Sequence, residues 1–450
     1  MTTNNPRQAA CEILVRIEKD NAYADILIDR ELSGRSLSGP DRALLTELVF
    51  GVLRRRGTLD YLIDLYSTRK TDKLERVVLV LLRLGLYQMF FLDRIPVSAA
   101  VNETVKLAKI FAPRASGFIN AVLRRFDRER DTVTWPDRNR DPAGFLSARH
   151  SHPRWLVEEW LRRLGAEEAE SLAEAMAESA PLTIRVNTLK TSRDDLLERL
   201  AAEGTAAVPA RYSPVGIQVL SAARPGSLAG FREGLCTVQD ESSQLASLFL
   251  APAPGEAVLD LCAAPGGKAT HLAQIMENRG TLFACDRDQR KLVRIGETAA
   301  RLGTGIVSTM TLDASLPLDA LGAQRFHRIL VDAPCTGLGV IRRNPEAKWR
   351  LLPSDPARLS ELQRTILRNA SERLVGGGVL LYSTCSTSLE ENEAVIDDFI
   401  SERDDFVIED LRVLFPEHAP LFTERGMFRS WPHRHGMDGF FAARLKKIGE

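Results

Sequence analysis

The chain has 450 residues, of which 44% are hydrophobic and 27% are charged, which predicts a globular protein of two or three domains rather than a single core. Its formal net charge is zero, but residues 1–150 hold 25 Lys and Arg against 19 Asp and Glu, whereas the remainder holds 35 against 41. The basic excess is compatible with nucleic-acid binding, although solvated helix faces have the same composition.

The six cysteines are widely spaced and form neither a CxxC pair nor a zinc-type Cys and His pattern. We therefore expect no metal and no disulfide framework, which favours a reducing, cytoplasmic compartment. The first residues, Met1–Pro6, are polar and lack the apolar core of a signal peptide.

From Arg7 to about Phe126, apolar residues recur with the period of a helix, which predicts an all-α N-terminal region. Gly39 marks a helix start, with Ser38 or Asp41 as its cap. The most apolar stretch, Leu74–Leu92, contains three charged residues, so it predicts a buried helix rather than a membrane span, and we expect no membrane partner. The charged, proline-containing tract from Asp127 to Pro142 predicts a linker that ends this region.

The stretch from His150 to about Phe249 is mixed and predicts a small α/β module. The predicted elements are a helix over 155–164, a strand over 182–186, a helix over 192–202 and a strand over 216–220. Such a module often supplies a substrate face to the next domain. Its Arg185-Val186-Asn187 segment could meet a polyanion, whereas the alternative is a solvated strand edge.

From Glu256 onward, strands alternate with helices. The predicted strands cover 258–261, 281–285, 306–311, 328–331 and 379–383, and the helices between them begin near Lys268, Gln289, Arg358 and Glu390. This alternation predicts a parallel, doubly wound α/β sheet whose ligands lie beyond the carboxyl ends of the strands.

The segment Leu259–Lys268 contains the end of the first of these strands and a glycine-containing loop that leads into the next helix. Gly266 and Gly267 allow the backbone to approach a ligand closely. The spacing matches neither GxGxxG nor GxxxxGK[ST], which disfavours a dinucleotide and a nucleoside triphosphate and suits a nucleoside cofactor without phosphates. Asp286, at the end of the second strand, could accept hydrogen bonds from a ribose. By itself Asp286 could equally be a helix cap.

Two cysteines each follow a predicted strand, in Asp332-Ala333-Pro334-Cys335 and in Ser383-Thr384-Cys385-Ser386. Cysteine is well suited to add covalently to a weakly electrophilic ring, because part of it is thiolate at neutral pH. Two such motifs beside one cofactor loop favour a thiolate enzyme. The alternative is a pair of buried cysteines that act as small hydrophobes.

These motifs resemble those of the S-adenosylmethionine-dependent RNA cytosine-5 methyltransferases, in particular the bacterial RsmB, Sun or Fmu type that modifies 16S rRNA. Further similar segments are Glu390–Glu393, Gly339–Pro345, Lys348-Trp349 and Trp431–Phe441, while Asn102-Glu103 and Phe118–Arg125 are similar to a NusB-like RNA-binding domain. The resemblance implies a NusB-like domain over 1–135, a small α/β substrate module over 145–240 and a Rossmann-like methyltransferase domain over 241–450.

The resemblance also implies the roles of the site residues. Cys385 would attack C6 of cytosine, Cys335 would assist release of the product, and Asp332 would meet the N3/N4 edge of the base and lie close to the cofactor. The target base must be single-stranded or extruded. The loop residues that would contact the methionine part of the cofactor are Cys262, Ala263, Ala264, Pro265, Gly266, Gly267 and Lys268.

By the same resemblance, Asp286 would bind the ribose and Asp313 the adenine amino group. The family often has Gly-Asp where this chain has Leu312-Asp313, which makes the adenine contact the least supported. We expect the side chains of Cys262 and Cys285 to have only a packing role; Cys262 is included for its backbone, which belongs to the loop. The expected partner is 16S rRNA, free or in a partly assembled subunit, and the protein is expected to be a monomer.

Three basic clusters in the N-terminal region, Arg54-Arg55-Arg56, Arg69-Lys70 and Arg124-Arg125, are candidate phosphate contacts or, alternatively, solvated helix faces. Two rival functions stay open. In one, the enzyme methylates another RNA or a protein and Cys385 is only structural. In the other, the protein is an RNA-binding or transcription-related factor whose catalytic domain is vestigial.

Overall fold

The structure, a computed structural model, describes residues 4–20, 22–221 and 225–449. The prediction made for the N-terminal end therefore lies partly outside the described residues, since it includes Met1–Thr3. The chain forms two compact units. The first comprises Met1–Ser179 together with Ile341–Leu351, and the second comprises Ala180–Val340 together with Leu352–Glu450.

The first unit is helical throughout its described residues. Its α-helices are α1 (Pro6–Asp20), α2 (Ala24–Gly34), α3 (Gly39–Arg54), α4 (Arg56–Tyr66), α5 (Arg76–Phe91), α6 (Val97–Phe111), α7 (Ser116–Glu129), α8 (Pro142–His150), α9 (Arg154–Leu164) and α10 (Ala166–Met176). The Ser38 side chain caps α3 as predicted, by accepting a hydrogen bond from the Asp41 N–H. The predicted buried helix in the apolar stretch is confirmed as α5, and no helix of the described residues is long and apolar enough to cross a membrane.

The segment Ile341–Leu351 belongs to this helical unit although it is distant from it in sequence. Trp349 Nε1 donates to the Leu53 carbonyl at 3.3 Å, and Arg350 donates to the Ala22 carbonyl at 2.6 Å. Lys348 is 1% exposed, and burial lowers its pKa well below the ordinary value. The segment is therefore anchored in the helical unit by a buried lysine and by side chains that donate to backbone carbonyls.

The second unit begins with a small antiparallel sheet. Its elements are β1 (Leu182–Val186), α11 (Arg193–Ala202), β2 (Ala207–Pro209), β3 (Gly216–Val219) and β4 (Cys236–Val238), and the strand order is β2-β3-β1-β4. Ser192 and Asp195 form a capping box that starts α11. The strands predicted over 182–186 and 216–220 are confirmed as β1 and β3.

The larger sheet of this unit carries the remaining elements. They are α12 (Glu241–Leu250), β5 (Ala257–Leu261), α13 (Gly267–Ile275), β6 (Thr281–Asp286), α14 (Gln289–Leu302), β7 (Val307–Thr311), β8 (Phe326–Asp332), α15 (Asp355–Ser371), β9 (Leu374–Thr384), α16 (Glu393–Glu402), β10 (Phe406–Ile408), α17 (Leu411–Leu414), β11 (Phe428–Ser430), α18 (Pro432–His435) and β12 (Phe440–Lys447).

The five predicted strands are confirmed as β5 to β9, and they are parallel in the order β7-β6-β5-β8-β9. Alternate strand residues face two apolar cores. Leu259, Ile329 and Tyr382 pack with α15 and α16, while Val258 and Leu330 pack with α12, α13 and α14. Because helices cover both faces, this part is the predicted doubly wound sheet.

The expectation of an entirely parallel sheet is wrong at one edge. Strand β12 pairs antiparallel with β9, and β10 and β11 pair antiparallel with β12. Mixed sheets of this kind are common where an antiparallel strand extends a doubly wound core. The addition covers β9, which carries Cys385 at its carboxyl end.

Candidate active site

The carboxyl ends of β5 to β9 surround a cavity of about 270 Å³. Asp286 and Asp313 line it together with Asp332 and the two motif cysteines, Cys335 and Cys385. These residues come from four different strand ends. The structure therefore brings the predicted acidic residues, the loop residues Cys262 and Ala264 and the predicted thiols to one cavity. The other predicted loop residues, Ala263, Pro265, Gly266, Gly267 and Lys268, do not line it.

The glycine loop connects β5 to α13 by a sharp turn. The Ala263 N–H donates to the Cys285 carbonyl at 2.8 Å, which ties the loop to the end of β6. Gly266 has φ of +98°, and a Cβ there would lie 3.1 Å from Ile295. A side chain at this position would be both strained and crowded, so the turn requires glycine.

Arg185, on β1, forms hydrogen bonds with this loop and the helix that follows it. The prediction that it meets a polyanion is therefore wrong. Its side chain is 0% exposed, and it donates to the Gly267 carbonyl at 2.5 Å, to Thr270 Oγ1 at 3.0 Å and to Gln274 Oε1 at 2.8 Å. The alternative of a solvated strand edge is wrong as well. Burial lowers the pKa of Arg185 to about 9.

Asn187, in the same segment, is also buried. Its Nδ2 donates to the Gly234 carbonyl at 2.8 Å and to the Leu302 carbonyl at 2.7 Å. Both polar residues of the segment are therefore used to fasten elements inside the second unit.

Asp260 lies within β5, directly before the loop. It is 0% exposed, and neither carboxylate oxygen has a hydrogen-bond partner. Burial raises its pKa well above the ordinary value, and the neighbouring Asp332 carboxylate raises it further. A buried carboxyl group without a partner is costly, so its presence here indicates that a ligand or a proton satisfies it.

Asp286 and Asp313 follow β6 and β7. Asp286 is 7% exposed, and one of its oxygens accepts from the Asp288 N–H at 2.9 Å. Asp313 is exposed and accepts from the Ser315 hydroxyl at 2.6 Å and the Ser315 N–H at 2.9 Å, which lowers its pKa. Both carboxylates border the cavity, where they can accept hydrogen bonds from a sugar or a base edge.

Asp332 ends β8 and is held by two side chains. Oδ2 accepts from Lys268 Nζ at 2.7 Å, and Oδ1 accepts from the Ser383 hydroxyl at 3.0 Å. Burial acts to lower the pKa of Lys268, but the charge of Asp332 outweighs it and the pKa is raised. Lys268 is therefore a structural ammonium that links the cofactor loop to the strand of Cys335.

The sulfur atoms of Cys335 and Cys385 lie 3.4 Å apart. The hydrogen bond to Cys385 and burial raise the pKa of Cys335 well above its ordinary value. Burial also raises the pKa of Cys285, to about 12, and that of Cys262. Those two thiols are thus neutral at physiological pH, as expected of packing residues.

Three of the segments that resemble the methyltransferase family meet at Gly339: its own segment, the Cys385 motif and the C-terminal segment that contains Gly439. Its N–H donates to the Cys385 carbonyl at 2.9 Å, and its carbonyl accepts from the Gly439 N–H at 3.0 Å. A Cβ on Gly339 would lie 1.9 Å from the Gly439 carbonyl oxygen. Only glycine permits this close approach, which locks the Cys385 loop against the C-terminal segment.

The basic clusters of the helical unit differ in exposure. Arg69, Lys70, Arg124 and Arg125 are exposed. The cluster Arg54–Arg56 is only partly exposed; Arg56, for example, forms an ion pair with Glu18 at 3.3 Å. A second cavity, of about 560 Å³, is lined by Arg69, Arg114 and Phe118 among others.

Sequence reasoning assigned no role to Asp260 or Glu391 and did not find the role of Arg185 in bracing the loop. Asp260 carried a signal, since an acidic residue between two leucines of a buried strand is unusual. Glu391 stood in a similar segment but without a function. Arg185 carried no signal of its own, because a single charge in a strand more often faces solvent.

The second unit thus has the fold and the ligand cavity of a Rossmann-like methyltransferase. Residues 247–446 match the family described as 16S rRNA methyltransferase RsmB/F, residues 4–128 match the NusB family, and residues 152–224 match the ferredoxin-like domain of RsmF/B-like methyltransferases.

Similarity to individual proteins extends over the whole chain. The probable ribosomal RNA small subunit methyltransferase B of Bacillus subtilis (strain 168) is 39% identical over 454 residues, which cover 100% of both chains. The ribosomal RNA small subunit methyltransferase B of Escherichia coli O1:K1 / APEC is 37% identical, covering 98% of this chain and 99% of its own. NSun6 from Pyrococcus horikoshii, solved with SFG, is 26% identical with a TM-score of 0.59, over 66% of this chain and 99% of that chain.

The chain therefore belongs to the RsmB family of small-subunit rRNA methyltransferases, and its cofactor is S-adenosylmethionine. The residues present fit that cofactor. The partnerless Asp260 carboxyl beside the loop suits a molecule that carries an ammonium group, and Asp286 and Asp313 offer acceptors to a nucleoside.

Proposed function

We propose that this protein methylates C5 of a cytidine in 16S rRNA through a covalent adduct between Cys385 and C6 of the base. The observation that supports it most directly is the pair of thiols, 3.4 Å apart, in a cavity that also presents Asp286, Asp313 and Asp332. A methyltransferase that acted on an exposed amine or hydroxyl would have no use for two adjacent thiols.

The reaction requires the thiol because C5 of cytosine is a poor nucleophile. Addition of the Cys385 thiolate to C6 makes C5 enamine-like. Bound S-adenosylmethionine supplies an electrophilic methyl group. After transfer, the C5 proton is removed, the bond between C6 and sulfur breaks, and the thiolate of Cys385 is regenerated.

The charges around the thiols support this division of roles. The raised pKa of Cys335 keeps it a neutral thiol, which can donate a hydrogen bond to a thiolate on Cys385. The Lys268 ammonium interacts favourably with a negative charge on Cys385. A nearby cation is a common way to stabilise a reactive thiolate. We assign the nucleophile to Cys385, product release to Cys335 and the polar edge of the base to Asp332.

We assign the cofactor loop, from Cys262 to Lys268, to the methionine part of the cofactor, Asp286 to the ribose and Asp313 to the adenine. The helical unit would bind RNA through its exposed clusters, Arg69-Lys70 and Arg124-Arg125. Asp286 and Asp313 line the cavity and the basic clusters are exposed, so substitutions at these positions leave the cores intact.

The test separates the two thiols with labelled 16S rRNA and S-adenosylmethionine. Cys385→Ser should abolish both methylation and any covalent adduct. Cys335→Ser should block turnover after transfer, so that adducts resistant to denaturation accumulate on gels. Cys236→Ala, which changes a buried cysteine of the small sheet, serves as the control and should retain activity.

Other results would support the rival functions. Full methylation by Cys385→Ser would make Cys385 structural, and adducts from Cys385→Ser but not from Cys335→Ser would reverse the two roles. RNA binding by the wild-type protein without any methylation would indicate a vestigial catalytic domain. Bisulfite sequencing of 16S rRNA from cells with and without the gene would identify the modified cytidine.

A further inference from the structure

Glu391 lies between the two thiol loops without being part of either. It is 0% exposed, and its carboxylate accepts four hydrogen bonds. Oε1 accepts from the Thr336 N–H at 2.8 Å and from Gln363 Nε2 at 3.1 Å. Oε2 accepts from the Thr336 hydroxyl at 2.5 Å and from the Ser386 hydroxyl. All four possible acceptor positions of the carboxylate are used.

The four donors belong to the two loops or brace them. Thr336 directly follows Cys335, and Ser386 directly follows Cys385. Gln363 also donates to the carbonyl of Pro334, on the other side of Cys335, at 2.9 Å. One buried carboxylate therefore holds the residues next to both cysteines.

The residues around Glu391 keep the carboxylate in place. Its own backbone carbonyl accepts from the Tyr382 hydroxyl at 2.6 Å. The following residue, Asn392, donates to the Ser386 carbonyl at 2.9 Å and accepts from the Thr384 hydroxyl at 2.6 Å. Asn392 thus braces the Cys385 loop alone, whereas Glu391 joins it to the Cys335 loop.

A buried charge is retained only where hydrogen bonds compensate for the loss of water. Burial raises the pKa of Glu391, and the bonds from Ser386 and Thr336 oppose that rise. A hydrophobic residue could fill the same volume, but it could not fix the direction of two separate loops. The carboxylate is suited to that task because its two oxygens accept in opposite directions.

The geometry points to Glu391 as a positioning residue that sets the distance between the sulfur atoms of Cys335 and Cys385. This inference rests on the proposed function, in which both thiols act on one base. It concerns a residue that touches neither the base nor the cofactor cavity, and that acts only through Thr336 and Ser386.

The test uses the full-length protein with Glu391→Ala and Glu391→Gln. The Ala variant removes every acceptor. The Gln variant keeps the shape of the side chain. Its single oxygen can still accept from the Thr336 N–H and from Gln363. Its NH2 group can donate to the Thr336 and Ser386 hydroxyl oxygens once those hydroxyl groups rotate. Glu241→Ala is the matched control, since Glu241 is also buried, has a pKa raised by burial and binds two backbone N–H groups away from the thiols.

The first readout is independent of methylation. Diamide oxidises two adjacent thiols to a disulfide and takes up their two protons and two electrons, so the rate of Cys335 to Cys385 crosslinking reports their separation. We expect Glu391→Gln to crosslink at least as fast as wild type, because it keeps the geometry and also removes the charge, and Glu391→Ala to crosslink about tenfold more slowly than wild type. Removing a negative charge beside Cys335 would by itself favour its thiolate and speed oxidation, so slowing in the Ala variant reports geometry.

The second readout is the single-turnover rate of methyl transfer at saturating S-adenosylmethionine. Glu391→Ala should lose about 100-fold, the order expected for a misplacement of about 1 Å, while its affinity for S-adenosylmethionine stays within about twofold. Glu391→Gln should recover most of the rate. If crosslinking slows in the Ala variant but wild-type protein makes no 5-methylcytidine, the positioning role stands and the proposed function fails.

Four results would overturn the inference, three from the wild-type and Glu391 proteins and one from the control variant. The first is wild-type crosslinking by Glu391→Ala, and the second is the absence of crosslinking in the wild-type protein. The third is equal loss in Glu391→Gln and Glu391→Ala, which would mean that the charge matters and the position does not. If Glu241→Ala lowers the melting temperature and slows crosslinking as much as Glu391→Ala does, the effect is due to general destabilisation of the fold. That result would also reject the positioning role.

Discussion

Arg185 offers the most direct test of how the small sheet supports the cofactor loop. We consider Arg185→Met, which keeps the volume but removes every donor. Arg185 also donates to Gln239 Oε1, so the side-chain oxygens of Gln239 and Gln274 would both lose their donor. Gln274 Nε2 already donates to the Val186 carbonyl at 3.0 Å, and Gln239 Nε2 donates to Ser243 Oγ at 3.1 Å. Neither amide can rotate to find another donor for its oxygen.

Leaving a buried acceptor unsatisfied costs about 1–3 kcal/mol, so two of them cost about 2–6 kcal/mol. Part of that cost is offset, because the variant no longer buries a charged guanidinium, whose pKa burial lowers to about 9. We therefore expect a loss of about 2–4 kcal/mol in the free energy of unfolding. With about 2–4 °C per kcal/mol for a domain of this size, the melting temperature should fall by roughly 4–16 °C.

Thermal melting followed by circular dichroism measures the stability, and calorimetry measures the affinity for S-adenosylmethionine. The affinity should also fall, because Arg185 holds the Gly267 carbonyl in the loop. Arg199→Met is the control, since Arg199 forms exposed ion pairs with Glu233 and Glu203, and such pairs contribute little. A melting temperature and an affinity for Arg185→Met that both match wild type would refute the assignment of Arg185 as the brace.

The remaining predictions concern the cofactor, Asp260 and the helical unit. Asp286→Ala should weaken S-adenosylmethionine binding by about 1.5–3 kcal/mol, or roughly 10–150-fold, and unchanged affinity in calorimetry would reject the ribose contact. The pKa of Asp260 is raised in the folded, cofactor-free protein. Above about pH 4 the unfolded state releases this proton while the folded state keeps it. The free energy of unfolding therefore falls as the pH rises from about 4. Asp260→Asn should therefore gain stability relative to wild type as pH rises from 4 to 8, and parallel melting curves would contradict this. Arg69→Ala and Arg114→Ala should each reduce the slope of log RNA affinity against log salt concentration by about one. Arg140→Ala, in the linker tract, is the control and should leave the slope unchanged. Equal slopes in all variants would mean that Arg69 and Arg114 are solvated and do not contact phosphates.

The parallel strands could be predicted because each is a short apolar run that ends in turn residues, as in Val258–Leu261 and Val379–Ser383. Their parallel pairing follows from the rule that strands alternating with helices form a doubly wound sheet, whereas their order was not predicted and comes from the structure. For the same reason the loop residues, both thiols and Asp286 were expected at one edge. The structure places Cys262 and Ala264 of the loop, both thiols and Asp286 around one cavity, and their roles remain predictions.

The antiparallel edge and the supporting residues could not be predicted, because no local pattern encodes them. Strand β12 begins with apolar residues and ends in Lys446-Lys447, which fits a strand end or a helix equally well, and only its pairing with β9 decides. The burial of Arg185 depends on glutamines about 54 and 89 residues away. The segment Ile341–Leu351 contains nothing that marks it as part of the helical unit.

The closeness of the two thiols follows from strand register. Strand β8 lies between β5 and β9, with Val331 opposite Leu261 and Asp332 opposite Ser383. Cys335 comes three residues after Asp332 and Cys385 two residues after Ser383, so loops 50 residues apart in sequence leave the sheet side by side. The strand order reverses between β5 and β8, and a crevice opens at such a point. The proposed cofactor residues at the ends of β5, β6 and β7 and the thiols that follow β8 and β9 therefore face each other across it. Asp332 lies at the boundary, where it binds the Lys268 ammonium.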